Sequence, residues 1–221
     1  VSPDNTKISF GVDTVSRRKY TIYIKDLLTG TILDETIPLT TGGSTWANDN
    51  STLFYTQKDE QTLRSNKIFR HRLGTSSLSD ELIFTEEDET FGTFVFKTKS
   101  KKFLVIGSYS TLTSEYRILN ADTPFEDFKI FQPRVRGLEY SISHYDDSFY
   151  VLTNMDGASN FKLMKTSDDT TLMDNWEEMI AHREDVLLED IDIFKDYYVI
   201  SERSNGLNRI KVVKWDGTGS Y

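Results

Sequence analysis

The 221-residue chain is 37% hydrophobic and 13% aromatic, carries a formal net charge of −9 and contains no cysteine; such a length suits one large domain with a real core. Without cysteine there are no disulfides or thiolate zinc sites, which fits a reducing compartment. The acidic balance argues against nucleic acid as a partner, and no apolar run approaches the roughly 20 residues that cross a bilayer, so no membrane is expected.

In chain order, the first unit, Val1 to about Pro38, opens on the turn Ser2-Pro3-Asp4-Asn5 and reads as three short strands, including ISFG from Ile8 and KYTIYIKDL from Lys19. The second, about 41–85, reads as four: Ser44–Ala47, Leu53–Thr56, Lys67–Leu73 and Glu81–Thr85. Polar clusters separate them, and short β-runs at this spacing predict an antiparallel meander. The third unit, about 90–133, has Phe91–Lys97, Phe103–Tyr109, Ser114–Asn120 and Phe128–Pro133. The fourth, about 138–183, has Tyr140–Tyr145, Phe149–Asn154, Asn160–Thr166 and Trp176–His182. Leu172, Trp176, Met179 and Ile180 would also share one face of a helix, but the place of this segment in the unit favours a strand. The fifth, about 186–221, contains YYVIS from Tyr197 and a strand at Arg209–Trp215, after which Asp216-Gly217 begins another turn.

These units are repeats. Ile8, Leu53, Phe103, Phe149 and Tyr197 each follow a polar turn and open a similar strand, at intervals of 45 to 50 residues. A period of this length with four strands per unit is the signature of propeller blades, none of which buries its faces alone. The expected fold is an all-β propeller of four-stranded antiparallel blades. The first and last blades are read as incomplete, so the chain is expected to be a piece of a larger protein.

Most candidate chemistry has a plain structural reading. The nearest approach to a nucleophile elbow is Gly157-Ala158-Ser159-Asn160-Phe161, which has Phe where the strained turn needs glycine. His71, His144 and His182 stand on or beside different strands without a second ligand at zinc spacing, and no cofactor or metal is expected. The acidic runs Glu86–Glu89, Asp168-Asp169 and Glu189-Asp190 fall at turns and strand ends. Paired acids could serve a propeller glycosidase, yet a solvated rim is the simpler reading. Arg17-Arg18-Lys19 is taken as the tight basic cluster, in the first unit's hairpin.

The segments SPDNTKISFGVDTVSRRKYTI, WANDNSTLFY, IFRHRLGT, DELIFTEEDET, TSEYRIL, EYSISHYDDSFYVLTN, WEEMIAHRE and ERSNGL occur in an order that resembles the oligopeptidase B branch of the prolyl oligopeptidase family of serine peptidases. The resemblance implies a cytoplasmic, two-domain enzyme in which a seven-bladed propeller caps a C-terminal α/β-hydrolase domain. That enzyme would cleave oligopeptides after Arg or Lys, with its triad outside this chain and no catalytic residue within it. The chain would then hold about five of seven blades and serve as a steric gate. Within the family-like stretch, Arg17 and Arg18 become candidates for contact with substrate or the facing domain. Exposed blade edges are expected to make the isolated chain self-associate. The rival reading is a stand-alone propeller that binds or scaffolds.

Overall fold

The structure, a computed structural model, describes residues 1–216 and 218. It is all-β apart from short 3-10 turns at Ser77–Ser79, Met155–Gly157 and Met173–Asn175. The strands are β1 (Lys7–Val12), β2 (Tyr20–Asp26), β3 (Ile32–Trp46), β4 (Thr52–Lys58), β5 (Ser65–Arg72) and β6 (Glu81–Thr85), which form one sheet in chain order. Next come β7 (Gly92–Lys97), β8 (Phe103–Tyr109), β9 (Ser114–Asn120) and β10 (Lys129–Gln132), a four-stranded sheet ordered β10-β9-β8-β7. A second four-stranded sheet holds β11 (Tyr140–Tyr145), β12 (Ser148–Thr153), β13 (Lys162–Ser167) and β14 (Glu177–Ile180). The last has three strands: β15 (Val186–Ile193), β16 (Tyr197–Ser204) and β17 (Leu207–Lys214). Gly217, expected to continue the turn begun at Asp216, lies outside the described residues.

The boundary expected near Pro38 falls inside β3. The chain stays extended through it and bends beyond, where Leu39 (φ 59°) and Gly42 (φ 93°) take left-handed conformations. Register with β4 also shifts between Thr40 and Ser44. Thus β3 serves β2 with its first half and β4 with its second. A close approach fixes the bend: a Cβ on Gly11 would lie 2.4 Å from the Gly42 Cα. In the fourth unit the strand alternative prevails at Glu177–Ile180, and the apolar residues before it are taken up by the 3-10 turn at Met173–Asn175.

The repeated apolar runs of β4, β8 and β12 become strands covered on both faces, whereas β1 and β16 are only partly buried. Thr52 to Thr56 of β4 are all buried, as are Phe149 to Thr153 of β12. Such unbroken runs mark strands packed on either side, whereas β11 alternates, with Tyr140, Ile142 and His144 buried and Ser141 exposed.

The chain divides into two compact units, Val1–Ser110 with Tyr116–Ile130, and Thr111–Glu115 with Phe131–Tyr221. The first is built on Phe54, Ile68, Leu104, Ile106 and Leu119, with Phe84, Val95 and Phe128 packed against them. Each such side chain contributes about 1.5–3 kcal/mol on burial. The second has its own core of Tyr150, Leu152, Leu163, Leu188, Ile191 and Ile200, covered by Trp215. No helix among the described residues is long and apolar enough to cross a membrane.

Candidate functional site

The β1–β2 hairpin is shaped by Asp13, whose carboxylate accepts from the backbone N–H groups of Val15 (3.1 Å) and Arg18 (2.6 Å). Ser16 and Arg18 occupy left-handed conformations, with φ of 55° and 57°, so the loop turns sharply. It leaves Arg17 and Arg18 exposed. Neither guanidinium forms an ion pair among the described residues, and both remain available to an external anion.

The hairpin is tied back by Lys58 at the end of β4. Its Nζ donates to the Arg18 carbonyl at 2.6 Å and lies 5.9 Å from the centre of the Tyr20 ring. The same ring crowds Gly42, where a Cβ would come within 2.8 Å of it. Thr41 and Thr56, close in sequence to Gly42 and Lys58, begin a cleft of about 530 Å³. Its other lining residues are Ser65, Thr93, Phe94, Tyr109 and Tyr116. Phe94 lies across Gly107, and Tyr109 stacks at a tilt on Phe94, 5.6 Å between centroids. Burial pushes the Tyr116 phenol up to about 12, so it stays protonated at neutral pH. With aromatic faces and hydroxyls in its lining, this cleft is suited to binding.

Arg64 opposes the same region from the β4–β5 hairpin. Its guanidinium donates to the carbonyls of Asp88 and Phe91, both at 2.9 Å, and of Glu86 at 3.1 Å. One side chain therefore fixes the crossover into β7. In the acidic run beside it, Glu87, Asp88 and Glu89 are exposed, whereas Glu86 is buried and accepts from the Asp88 N–H at 3.1 Å.

The other candidates are structural. Ser159 is exposed in the turn after Met155–Gly157, its N–H bonded to the Gly157 carbonyl at 2.8 Å. His71 is fully buried, with Nδ1 2.7 Å from Asp80 and Nε2 3.3 Å from Glu35. Both ring nitrogens are engaged by carboxylates, so neither is free to serve a nucleophile. His144, also buried, has Nε2 2.8 Å from Asp168. His182 follows β14 in a loop. Among the described residues no three His, Asp or Glu side chains gather in a way that would hold a metal. Glu189 pairs with Arg203.

Residues 1–220 match the family described as "Prolyl oligopeptidase, N-terminal beta-propeller domain". The chain belongs to this family. Among the relatives of this prolyl oligopeptidase propeller, dipeptidyl aminopeptidase BI of Pseudoxanthomonas mexicana is 38% identical over all of the chain and 30% of the relative. Oligopeptidase B from Leishmania major superposes with a TM-score of 0.91 at 30% identity, over 96% of this chain and 30% of that one. Oligopeptidase B from Trypanosoma brucei, in a closed form with covalently bound antipain, gives 0.88 at 27% identity over 97% and 30%. The propeller chain thus spans about 30% of the length of such relatives.

Sequence reasoning singled out Arg17 and Arg18 as candidates but missed the groups that hold their hairpin. The Lys58 bond to a backbone carbonyl has no sequence signature. The aromatic cleft draws on β3, β4, β5, β7, β8 and β9, so only the fold assembles it. A second basic run, Lys97-Thr98-Lys99-Ser100-Lys101-Lys102, spans the end of β7 and the turn before β8.

Proposed function

We propose that this chain is the substrate-gating propeller portion of a serine oligopeptidase that cleaves short peptides after Arg or Lys. The carrying observation is the family match along residues 1–220, and the likeness to oligopeptidase B from Leishmania major supports it. On this reading, the repeat units at about 1–38, 41–85, 90–133, 138–183 and 186–221 are about five blades of seven. A companion α/β-hydrolase domain supplies the serine, histidine and aspartate of acyl transfer and its oxyanion hole. The propeller restricts entry by size, and domain opening admits oligopeptides. Arg17 and Arg18 contact a carboxylate on the peptide or on the companion domain. The enzyme acts in the cytoplasm, consistent with a chain free of cysteine.

A second reading is release of dipeptides from free N-termini, favoured by the 38% identity to dipeptidyl aminopeptidase BI. The test uses the full-length protein on arginyl peptides of increasing length, each with a free or a blocked N-terminus. Cleavage after Arg in blocked short peptides, lost with a serine-directed inhibitor and declining with substrate size, is the expected result. Activity confined to free N-termini selects the second reading, and equal cleavage of folded proteins removes the gate. Changing Arg17 and Arg18 together to Ala should raise KM while the isolated serine chemistry persists.

A further inference from the structure

We propose that the turn joining β7 to β8 forms, with Asn48, a binding site for a monovalent carboxylate, built on Lys97 and Lys101. It lies at the other end of the first compact unit from the Arg17–Arg18 hairpin and does not depend on the proposed peptidase activity.

Asn48 is the centre of the arrangement. Its Nδ2 donates to the Lys101 carbonyl at 3.0 Å and to the Asp122 carboxylate at 2.8 Å, while its Oδ1 accepts from Lys97 Nζ at 3.0 Å. Backbone bonds brace the same three segments. The Asn48 N–H donates to the Ala121 carbonyl at 2.9 Å, and the Ala121 N–H to the Lys102 carbonyl at 2.8 Å. The β7–β8 turn is closed by the Lys101 N–H on the Thr98 carbonyl at 2.8 Å, with Lys101 left-handed at φ 65°. The two lysines are therefore carried on a fixed frame.

Their charges are not balanced within it. Neither Lys97 nor Lys101 forms an ion pair among the described residues, and the Lys97 ammonium bonds only an uncharged amide oxygen. Lys97 is half-buried. Burial, then the neighbouring charge of Lys101, lowers its pKa, and Asp122 opposes the shift only in part. An anion between the lysines would relieve that repulsion and complete the hydrogen bonding of both ammonium groups. Asp122 is the carboxylate that offsets the Lys97 charge, while Lys99 and Lys102 add further positive charge to the same turn. A carboxylate suits the site better than a phosphate dianion, whose second charge would face Asp122. The chemistry suits either an acidic side chain or a peptide C-terminus.

The test is an NMR titration of the 221-residue chain carrying Leu207→Lys and Ile210→Lys to suppress edge pairing, following the Asn48 side-chain amide and the Lys97 and Lys101 backbone amides. The probes are sodium acetate, acetyl-aspartate amide, acetyl-glycine with a free C-terminus, inorganic phosphate and sodium chloride at matched ionic strength. Saturable shifts at these groups with acetate and with at least one carboxylate peptide, absent with chloride, are expected. The two peptides distinguish a side-chain source from a terminal one. Lys101→Asn, which tolerates the left-handed backbone, should weaken acetate binding about fivefold. Asp122→Asn should strengthen it and admit phosphate. Shifts that follow ionic strength alone, or phosphate binding tighter than acetate with Lys101 and Asp122 unaltered, would overturn the proposal.

Discussion

The buried His71 offers the sharpest test of how the first compact unit is held together. Its ring is sealed from solvent between Asp80, whose side chain is 2% exposed, and Glu35, at 13%. The Tyr55 hydroxyl also donates to Asp80, at 3.0 Å, and the Gly74 N–H to Glu35, at 2.7 Å. This cluster links β3, β4 and β5 to the segment leading into β6. His71→Leu removes both imidazole hydrogen bonds and leaves two carboxylates facing an apolar side chain. Breaking such a buried pair costs about 3–5 kcal/mol; the remaining donors place this case at the lower end, about 3 kcal/mol. For a chain of this size that lowers the melting temperature of the affected unit by about 6–12 °C. Burial pushes the His71 pKa down, but the hydrogen bonds and charges of Asp80 and Glu35 outweigh it, and the net shift is upward. The protonated ring is thus favoured by folding. Its contribution is fully present below about pH 6.5, the ordinary histidine value, and is lost as pH rises through the higher folded value. Thermal unfolding between about pH 5.5 and 9 should show the gap between parent and His71→Leu narrowing toward alkaline pH. Asp80→Asn should move that narrowing to lower pH. A gap below about 1 kcal/mol, within the range of exposed pairs, or one that does not change with pH, would refute the reasoning.

Gly11→Ala should destabilise the chain by about 3 kcal/mol or more, because its Cβ would meet the Gly42 backbone at 2.4 Å; denaturant unfolding measures this, and a loss below about 1 kcal/mol would show that the strands separate easily. Glu202 is buried in the second compact unit between Arg183 and Lys211. Burial raises its pKa, but hydrogen bonds and charges from both cations lower it further. Glu202→Gln should therefore cost about 2–3 kcal/mol at neutral pH, with the deficit disappearing as pH falls through the depressed folded value; a pH-independent deficit in melting temperature would contradict it. The edge strand β17 exposes Leu207 (65%) and Ile210 (70%), so the isolated chain should self-associate in light scattering and Leu207→Lys with Ile210→Lys should suppress it; a monomer at all concentrations would count against edge pairing.

Much of the fold is legible because the repeat is written in buried strands. Leu53, Phe103 and Phe149 open apolar runs that become β4, β8 and β12, and their recurrence requires no knowledge of tertiary contacts. The continuity of β3 through Pro38 is less legible. It depends on the left-handed Leu39 and on the approach of Gly11 to Gly42, which involve two distant segments. The Trp176 segment is ambiguous by periodicity alone, and pairing with β13 decides it. For the site, Arg17 and Arg18 announce themselves as adjacent charges. Nothing local links Asn48 to Lys97 and Asp122, or Arg64 to the Glu86–Phe91 crossover, because those contacts arise only after blades pack. His71 shows the same limit: its partners Glu35 and Asp80 lie at no recognisable spacing, so a charged buried cluster looks like an ordinary strand histidine.

The most direct test of the proposed function compares the 221-residue chain with its full-length protein on one short arginyl fluorogenic peptide with a blocked N-terminus. The account predicts cleavage by the full-length protein, abolished by a serine-directed inhibitor, and none by this chain. Cleavage by the chain itself would place a catalytic site within it, and inactivity of both would contradict the oligopeptidase assignment.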